Sequence, residues 1–360
     1  MTVVGRMLLD RQEANSGLVE CRVELADEPP DWTGFLQGRP GASIFHDVRW
    51  GQIMRDTYGN RPIYLTARRG GQVVGVLQLV LQKSLLFGSH LSSLPYFDSA
   101  GVLADDHGAS GALVAEGRRL MDGLGCRWVE LRQEADLGAG LPTRTDKVRL
   151  ELALPSRKED LWESLKAKVR NQIRKAEKAH LTCAAGSAEL VKPFYQVYLR
   201  NMRDLGSPPH SRRWFEAIVE GFGGSSRLFV VWAGNRPAAA SLTLRDRQAM
   251  RVPWAGNDWR LRDSCPNMLL YWTMLAEACE GGAGRFDFGR STRDSGTYSF
   301  KRQWGAEPVP LYWHYLLPEG EALPDLRPDS GKFRLMVAAW KKLPLWAARA
   351  LGPRIIAKLS

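Results

Sequence analysis

The chain has 360 residues, more than one hydrophobic core usually organises and enough for two. With 44% hydrophobic and 25% charged residues, the composition excludes a disordered or fibrous protein. The net charge of +11 is local: residues 332–360 hold seven Lys and Arg and no Asp or Glu, and residues 166–180 add a net +5. Such segments attract phosphates, anionic lipid or nucleic acid.

Several classes of protein and site are not expected. Residues 1–11 have too short an apolar run for a signal peptide, and no run reaches the roughly 20 apolar residues of a membrane span. The five cysteines are widely spaced without a CxxC pair, so we expect no disulfide framework and a cytoplasmic location. The sequence contains no HExxH, no GxxxxGK(S/T) and no GxSxG motif. We therefore expect no metal site, no phosphate-cradling P-loop and no serine nucleophile on a strand-to-helix elbow.

The first part of the chain alternates helix and strand signals, which is typical of an α/β protein. The Gly70–Gly71 pair between two apolar runs predicts a β-hairpin. Residues 136–145, rich in Gly, Thr and Pro, indicate a loop or a domain boundary. The predicted elements are a helix over His46–Tyr58, strands over Pro62–Arg68 and Gln72–Gln82, a helix over Asp106–Leu124 and a strand over Arg127–Leu131.

The second part repeats this plan, and we therefore expect a structural duplication. Ser211 is the expected N-cap of one helix, and Gly234–Asn235 is the turn of a second hairpin. The predicted helices are Lys158–Ala179, Val191–Leu205, Ser211–Phe222 and Pro266–Glu280. The predicted strands are Arg227–Ala233, Pro237–Leu244, Gln248–Ala255 and Arg285–Gly289.

The stretch 285–315 holds the strongest candidates for chemistry. In a strand, Phe286 and Phe288 point one way and Asp287 the other, so that this carboxylate could act as a base in a cleft. The alternative is that Asp287 binds a neighbouring loop. Nearby cationic and hydroxyl side chains could clamp phosphate and stabilise a tetrahedral intermediate, although a solvated loop has the same composition: Arg290, Arg293, Tyr298 and Lys301.

Further cations could bind phosphate elsewhere. Lys166, Arg170 and Arg174 are four residues apart and share one helix face, which is either a phosphate-binding or a solvated face. Arg260 and Arg262 precede a helix start, where phosphate binds readily.

The basic tail combines its cations with large apolar residues, among them Trp340 and Trp346. Proline and glycine divide it into short amphipathic pieces. This pattern is typical of an anchor at an anionic membrane surface, and the alternative is a helix packed on the second lobe.

Several motifs in order resemble the Fem-type peptidyl aminoacyl transferases, and most closely the FemAB-like proteins of exosortase-associated polysaccharide loci. The resemblance covers residues 40–315. The motifs are FDFGRS (286–291), the pair Phe300–Lys301, WGA (304–306), the basic helix Val169–Leu181, and the segments Pro208–Ile218, Pro266–Trp272 and Ser93–Gly101.

The resemblance implies an α/β fold of two tandem GNAT-like acyltransferase units with mixed sheets and a cleft between them. The expected divisions are an N-terminal extension (1–40), a first lobe (41–145), a second, donor-binding lobe (146–318) and the basic tail (319–360). An acceptor would attack the donor carbonyl directly, with Asp287, Lys301 and Tyr298 as catalytic residues. Asn171, Asn267 and Asp98, within matching motifs, are expected to contact substrate.

The donor remains open between acyl-CoA and aminoacyl-tRNA, and no permanently bound cofactor is expected. The chain shows no long helical arm between Glu159 and Phe222, and residues 260–267 lack the glycines of an acetyl-CoA pyrophosphate loop. The expected function is transfer to an amine or hydroxyl of a lipid-linked or nucleotide-linked envelope precursor, of peptidoglycan or exopolysaccharide, at the inner face of the cytoplasmic membrane. The alternatives are a non-catalytic membrane-surface adaptor and a protein that binds tRNA without transfer.

Overall fold

Two mixed β-sheets form the frame of the molecule. The computed structural model describes residues 21–27, 29–84, 88–246, 249–324 and 331–358, with side chains in the last segment from residue 334 onwards. The predictions for residues 1–11 lie outside the described residues.

The strands are β1 (Arg22–Ala26), β2 (Arg61–Arg69), β3 (Gln72–Ser84), β4 (Gly88–Ser92), β5 (Leu103–Ala104), β6 (Val129–Gln133), β7 (Thr143–Arg144), β8 (Lys147–Ala153), β9 (Leu181–Gly186), β10 (Ser226–Ala233), β11 (Arg236–Arg245), β12 (Ala249–Asn257), β13 (Arg285–Thr292), β14 (Glu307–Pro310) and β15 (Tyr312–Leu316). The α-helices are α1 (Trp32–Leu36), α2 (Arg49–Tyr58), α3 (His107–Gly123), α4 (Lys158–Ser164), α5 (Ala167–Lys178), α6 (Val191–Leu205), α7 (Arg212–Phe222), α8 (Pro266–Glu280), α9 (Gly296–Arg302), α10 (Gly331–Lys341) and α11 (Leu345–Ile356).

The first sheet has the order β1-β2-β3-β4-β6-β15-β7, with β5 paired to β3. The hairpin β2–β3 turns at Gly70 and Gly71, whose φ angles of 58° and 83° are readily adopted by glycine. The strands β4 and β6 are parallel, and the chain between them includes helix α3. We call this sheet and its helices the first lobe.

The second sheet has the order β14-β8-β13-β12-β11-β10-β9. Here β12 and β13 are the parallel pair, and helix α8 connects them. This second lobe therefore repeats the parallel strand–helix–strand unit of the first, and the two mixed sheets confirm the predicted α/β class.

The sheets do not divide the chain at the predicted boundaries. Strand β1 lies in the segment predicted as an N-terminal extension, but it pairs with β2 of the first lobe. Strand β15 lies in the segment predicted as the second lobe, but it pairs with β6. These pairings join residues far apart in sequence, so local composition does not reveal them.

The predicted helix Lys158–Ala179 is wrong in one respect, since it is two helices. The backbone is extended at Leu165 and Lys166, where ψ is 140° and 143°. Leu165 is still buried, so the apolar spacing continues through the break and hides it. By contrast, α6 and α8 have the predicted bounds, and the Ser211 side chain accepts the Trp214 N–H at 3.1 Å, as predicted for an N-cap.

An aromatic core joins the two lobes. Trp50 of α2 contacts Phe222 of α7, with ring centroids 4.4 Å apart, and it contacts Phe97 of the first lobe at the same centroid distance. Phe97 in turn packs on Phe45 at 4.9 Å. This shared core fixes the lobes against each other and places Phe45 and Phe97 at the boundary between them.

The last two helices, α10 and α11, pack on α6 of the second lobe. The Arg203 guanidinium of α6 donates to the Leu343 carbonyl at 3.0 Å. None of the helices within the described ranges is long and apolar enough to span a membrane.

Candidate functional site

A cleft opens where the parallel strands of the second lobe separate. Strands β12 and β13 pair only over Ala249–Arg251 and Arg285–Asp287, and the register of β13 against β8 is irregular between Asp287 and Arg290. The cleft has a volume of about 180 Å³. Both lobes line it, with Phe45, Tyr96, Phe97, Asp98 and Ser99 from the first and Arg149, Arg251, Val252, Pro253, Asp287, Phe288, Gly289, Arg290 and Lys301 from the second.

Gly289 keeps the cleft open. Its φ is 75°, a conformation that favours glycine, and a Cβ atom there would lie 2.9 Å from the Val252 carbonyl oxygen. A side chain at this position would therefore strain the backbone and crowd β12. The FDFG motif therefore ends in glycine because strands β12 and β13 separate at this position.

Asp287 lines the cleft, whereas Phe286 and Phe288 belong to the hydrophobic core of the second lobe, in agreement with the predicted alternation, although Phe288 also borders the cleft. One carboxylate oxygen accepts the Gly289 N–H at 2.8 Å, and the other accepts from the Arg251 guanidinium at 3.1 Å. The side chain therefore both binds the local backbone and faces the cleft. Two of its roughly four acceptor positions are used, which leaves acceptor capacity for a ligand.

Buried guanidinium groups support this carboxylate. Arg251, 4% exposed, also pairs with Asp246 at 3.1 Å and Glu134 at 3.5 Å. Glu134 binds Arg149 as well and accepts the Ser99 hydroxyl at 2.8 Å. Although burial opposes its ionisation, the Arg149 and Arg251 guanidiniums lower the pKa of Glu134 to about 2. This network ties the first lobe, which supplies Ser99 and Glu134, to the second.

Lys301 of α9 extends its ammonium group into the same region. The side chain is buried, and Nζ donates to the carbonyl oxygens of Gly289 and Arg290 at 2.9 and 2.8 Å. An ammonium group has three N–H groups, so one remains for a ligand in the cleft. Burial lowers the pKa of Lys301 to about 8, while Asp287 and Asp98 act in the opposite direction.

Arg290 joins β13 to the first lobe at the edge of the cleft. Its backbone N–H donates to Asp98 at 3.2 Å, and its guanidinium lies 3.3 Å from the same carboxylate and 5.0 Å from the Trp313 ring centroid. The Trp313 indole N–H donates to the Asp98 carbonyl at 3.1 Å. Because the Arg290 side chain is 41% exposed, it can also contact a ligand that enters the cleft.

The lining carries charges of both signs. It includes four cationic side chains, Arg149, Arg251, Arg290 and Lys301, and the two carboxylates Asp98 and Asp287. Glu134, Glu151 and Asp246 pair with the two buried arginines, so Lys301 and the partly exposed Arg290 are the cations best placed to meet an anionic group of a ligand. The volume of the cleft suits an acyl or aminoacyl group better than an entire donor molecule.

The structure brings together four of the predicted site residues, Asp98, Asp287, Arg290 and Lys301. Tyr298 and Arg293 do not line the cleft: Tyr298 is partly buried in the second-lobe core and Arg293 is exposed.

The basic helix lies elsewhere and has mixed roles. Arg170 donates to the carbonyls of Trp162, Glu163 and Leu165 at 3.2, 3.0 and 2.8 Å, so it satisfies the end of α4. Arg174 is exposed and lies 5.5 Å above the Trp162 ring. Asn171 is exposed and does not line the cleft.

The start of α8 also lies outside the cleft. Arg260 pairs with the buried carboxylate of Asp258 at 2.8 Å, and Arg200 and Arg236 bind the same carboxylate. Arg262 is 70% exposed, and Asn267 is partly buried in the first turn of α8. Three guanidiniums around one carboxylate leave an excess of positive charge near this helix end.

Sequence reasoning missed Arg149, Glu134 and Arg251. Two of them carried a signal, because Arg149 lies between the buried residues Val148 and Leu150 and Arg251 lies between Met250 and Val252. A charged residue that alternates with core residues in a strand indicates a buried polar face. Glu134 follows the last residue of β6 and offered no comparable pattern.

No group of three or more candidate metal-ligating residues occurs in the part of the chain that the structure describes.

Comparison with known proteins agrees with this architecture. Residues 163–302 match the acetyltransferase (GNAT) domain family. No curated protein is significantly similar to the chain in sequence.

Among solved structures, the crystal structure of FemX has a TM-score of 0.63 at 16% identity, over 81% of this chain and 97% of that chain. The C-terminal domain of a putative lysylphosphatidylglycerol synthetase from Agrobacterium fabrum has a TM-score of 0.52 at 12% identity, over 74% and 87%. A tandem GNAT protein from the clavulanic acid biosynthesis pathway has a TM-score of 0.50 at 13% identity, over 84% and 100%. These likenesses concern the fold. The chain thus has a fold of two tandem GNAT-like units, and the match to the acetyltransferase (GNAT) domain family lies in the second.

Proposed function

We propose that this protein is an acyl or aminoacyl transferase that acts on an amine or hydroxyl of a cell-envelope precursor. The observation that carries the proposal is the cleft of the GNAT domain, where a buried ammonium, Lys301, and a buried carboxylate, Asp287, line one small space. A donor carbonyl and an acceptor must meet in such a space for direct transfer.

Lys301 acts on the donor carbonyl. Two backbone carbonyls hold its Nζ in place, and the remaining N–H donates to the carbonyl oxygen of the donor. As the acceptor attacks, negative charge grows on this oxygen, and a fixed buried ammonium stabilises it more strongly than water does. With a pKa of about 8, Lys301 is mainly protonated at neutral pH.

Asp287 acts on the acceptor. Its free acceptor positions bind the N–H or O–H of the attacking group and orient it toward the donor carbonyl. In the step, an N–C or O–C bond forms, the donor C–S or C–O bond breaks, and the acceptor proton passes through Asp287 to the leaving group. The ion pair with Arg251 holds the carboxylate in position throughout.

Arg290, whose side chain is 41% exposed at the edge of the cleft, binds the phosphate of an envelope precursor. Among fold neighbours, the name of the putative lysylphosphatidylglycerol synthetase refers to an aminoacylated lipid. The donor is an acyl-CoA or an aminoacyl-tRNA. The excess charge around Asp258 and the exposed Arg262 give the start of α8 the means to bind donor phosphate.

Calorimetric titration with an acyl-CoA panel, free CoA and aminoacyl-tRNA tests the proposal. We expect saturable binding of one donor class that depends on the acyl or aminoacyl group, and transfer to a lipid-linked precursor by the native chain. Arg290→Ala should weaken precursor binding, whereas Arg293→Ala, three residues away and outside the cleft, should leave it unchanged. Binding of neither donor class would contradict the proposal and favour a non-catalytic adaptor.

A further inference from the structure

The C-terminal helices expose an unusual number of large apolar side chains. Seven such side chains are exposed in the described ranges, and five lie within residues 335–355: Leu335, Met336, Trp346, Leu351 and Ile355. Leu335 and Trp346 are each 75% exposed. A sixth, Leu205, adjoins Gly206, which contacts Val337 of α10. Exposed apolar residues in one region indicate an interaction surface.

Cations surround these residues. Six cationic side chains of α10, α11 and the adjoining residues are exposed, namely Arg334, Lys341, Lys342, Arg349, Arg354 and Lys358. The sequence contains no Asp or Glu between residues 331 and 358. Among the contacts of the described residues, no ion pair involves any of these six cations.

The two helices are already packed on the second lobe by their other sides. Val337 of α10 contacts Gly206, and Ala348 and Gly352 of α11 are buried, with Gly352 against Pro209. Leu335 lies on the side of α10 away from Val337 and is exposed. Trp346 and Arg349, three residues apart, share the outer side of α11. The exposed residues therefore have no place in the core of the described chain.

We propose that α10 and α11 form a docking surface for an anionic lipid bilayer, which we call the C-terminal surface. Leucine, isoleucine and tryptophan side chains insert at the depth of the lipid headgroups, while the cations contact anionic headgroups. A nucleic acid would use the cations but not the aliphatic side chains. A surface with cations and no acidic residue also matches a uniformly negative membrane better than a mixed protein surface.

This inference does not depend on the proposed transferase activity, since binding to vesicles can be measured without any donor. The full chain should sediment with vesicles of phosphatidylcholine and phosphatidylglycerol in equal parts, and not with vesicles of phosphatidylcholine alone. The affinity should fall as the salt concentration rises.

Exposed substitutions separate the two contributions. Lys341→Gln with Lys342→Gln should weaken vesicle binding about 25-fold, since each cation near the surface contributes about 1 kcal/mol, or about fivefold. Trp346→Ser should weaken it about tenfold through the loss of apolar contact. Trp259→Ser, at a 54% exposed Trp elsewhere, and Lys175→Gln with Lys178→Gln on α5 are the matched controls and should bind like the native chain.

Each variant should remain folded, because none of these side chains is buried, and unfolding curves check this. Absence of binding to the mixed vesicles, or equal loss in the control variants, would overturn the proposal. The proposal would also be overturned if the native chain retained RNA but not vesicles and the variant with Lys341→Gln and Lys342→Gln lost that retention.

Discussion

The parallel strand pair of each lobe carries an acidic residue at the corresponding position, but the surroundings of the two carboxylates differ. In the first lobe Glu130 of β6 lies opposite Ser92 of β4, and in the second Asp287 of β13 lies opposite Arg251 of β12. Both carboxylates are buried. Asp287 faces the cleft between the lobes, whereas Glu130 is enclosed in the first lobe.

The residue two positions further along the strand explains the difference. In the first lobe it is Arg132, whose guanidinium donates to Glu130 at 2.5 Å and to the Phe97 carbonyl at 2.7 Å. In the second lobe it is Gly289, which has no side chain and leaves room beside Lys301. The same unit therefore builds a buried ion pair in one lobe and one wall of the cleft in the other, which fits a stabilising role for the first pair and the proposed ligand-binding role for the second.

The largest effect expected from this comparison is on stability, in the first lobe. Glu130→Gln removes the charge that pairs with Arg132 and accepts the Tyr315 hydroxyl at 2.7 Å. A buried guanidinium without its carboxylate should lower the free energy of unfolding by about 3–5 kcal/mol. Denaturant unfolding of the native chain and of Glu130→Gln measures this difference in the free energy of unfolding.

The matched change in the second lobe is Asp287→Asn. Arg251 keeps Asp246 and Glu134 as partners, so the free energy of unfolding should fall by only about 1 kcal/mol. Equal losses of stability in the two variants would contradict the division of roles between the lobes.

The next effect is on transfer. Lys301→Met keeps the length of the side chain but removes the ammonium, and transfer should fall about 100- to 1000-fold, as for the loss of an oxyanion donor. The Gly289 and Arg290 carbonyls lose their donor, while removal of a buried ammonium whose pKa is lowered by burial acts in the opposite direction, so the variant should remain folded. Transfer rates and unfolding curves test both points. Unchanged turnover would remove Lys301 from the mechanism.

A smaller effect is expected when the second lobe is altered toward the first. Gly289→Ala places a Cβ atom close to the Val252 carbonyl at a positive φ, and transfer should fall about tenfold as the strands shift. Gly234→Ala, also at positive φ but in an open hairpin turn, is the control for backbone strain. If both variants lost stability equally and neither lost transfer, the cleft would not need the glycine.

Much of the fold could be predicted because its signals are local. Gly70–Gly71 and Gly234–Asn235 predicted the two hairpins, and alternation in β13 placed Phe286 and Phe288 in the core with Asp287 in the cleft. The break at Leu165 could not be predicted, because a buried residue at the expected spacing occupies it. The pairing of β15 with β6 depends on contacts across nearly 200 residues.

The candidate site was predictable only in part, for the same reason. Asp287, Arg290 and Lys301 lie in one stretch of 15 residues that begins in the FDFGRS motif, so the sequence alone pointed to them. Arg149, Glu134 and Arg251 come from three distant strands or their ends, and only the folded sheets bring them together. Arg170 lies on the predicted basic helix face, but its guanidinium donates to backbone carbonyls at the end of α4. These carbonyls have no partner within the helix because the helix breaks at Leu165.

The most direct test of the central claim, that the protonated Lys301 ammonium acts in the cleft of the second lobe, is the pH dependence of transfer by the native chain and by Lys301→Arg. Transfer by the native chain should fall as the pH rises through about 8, where Lys301 loses its proton. Arginine stays protonated over this range, so the variant should keep part of the activity and show no such fall. The same fall near pH 8 in both proteins, or none in the native chain, would contradict the account.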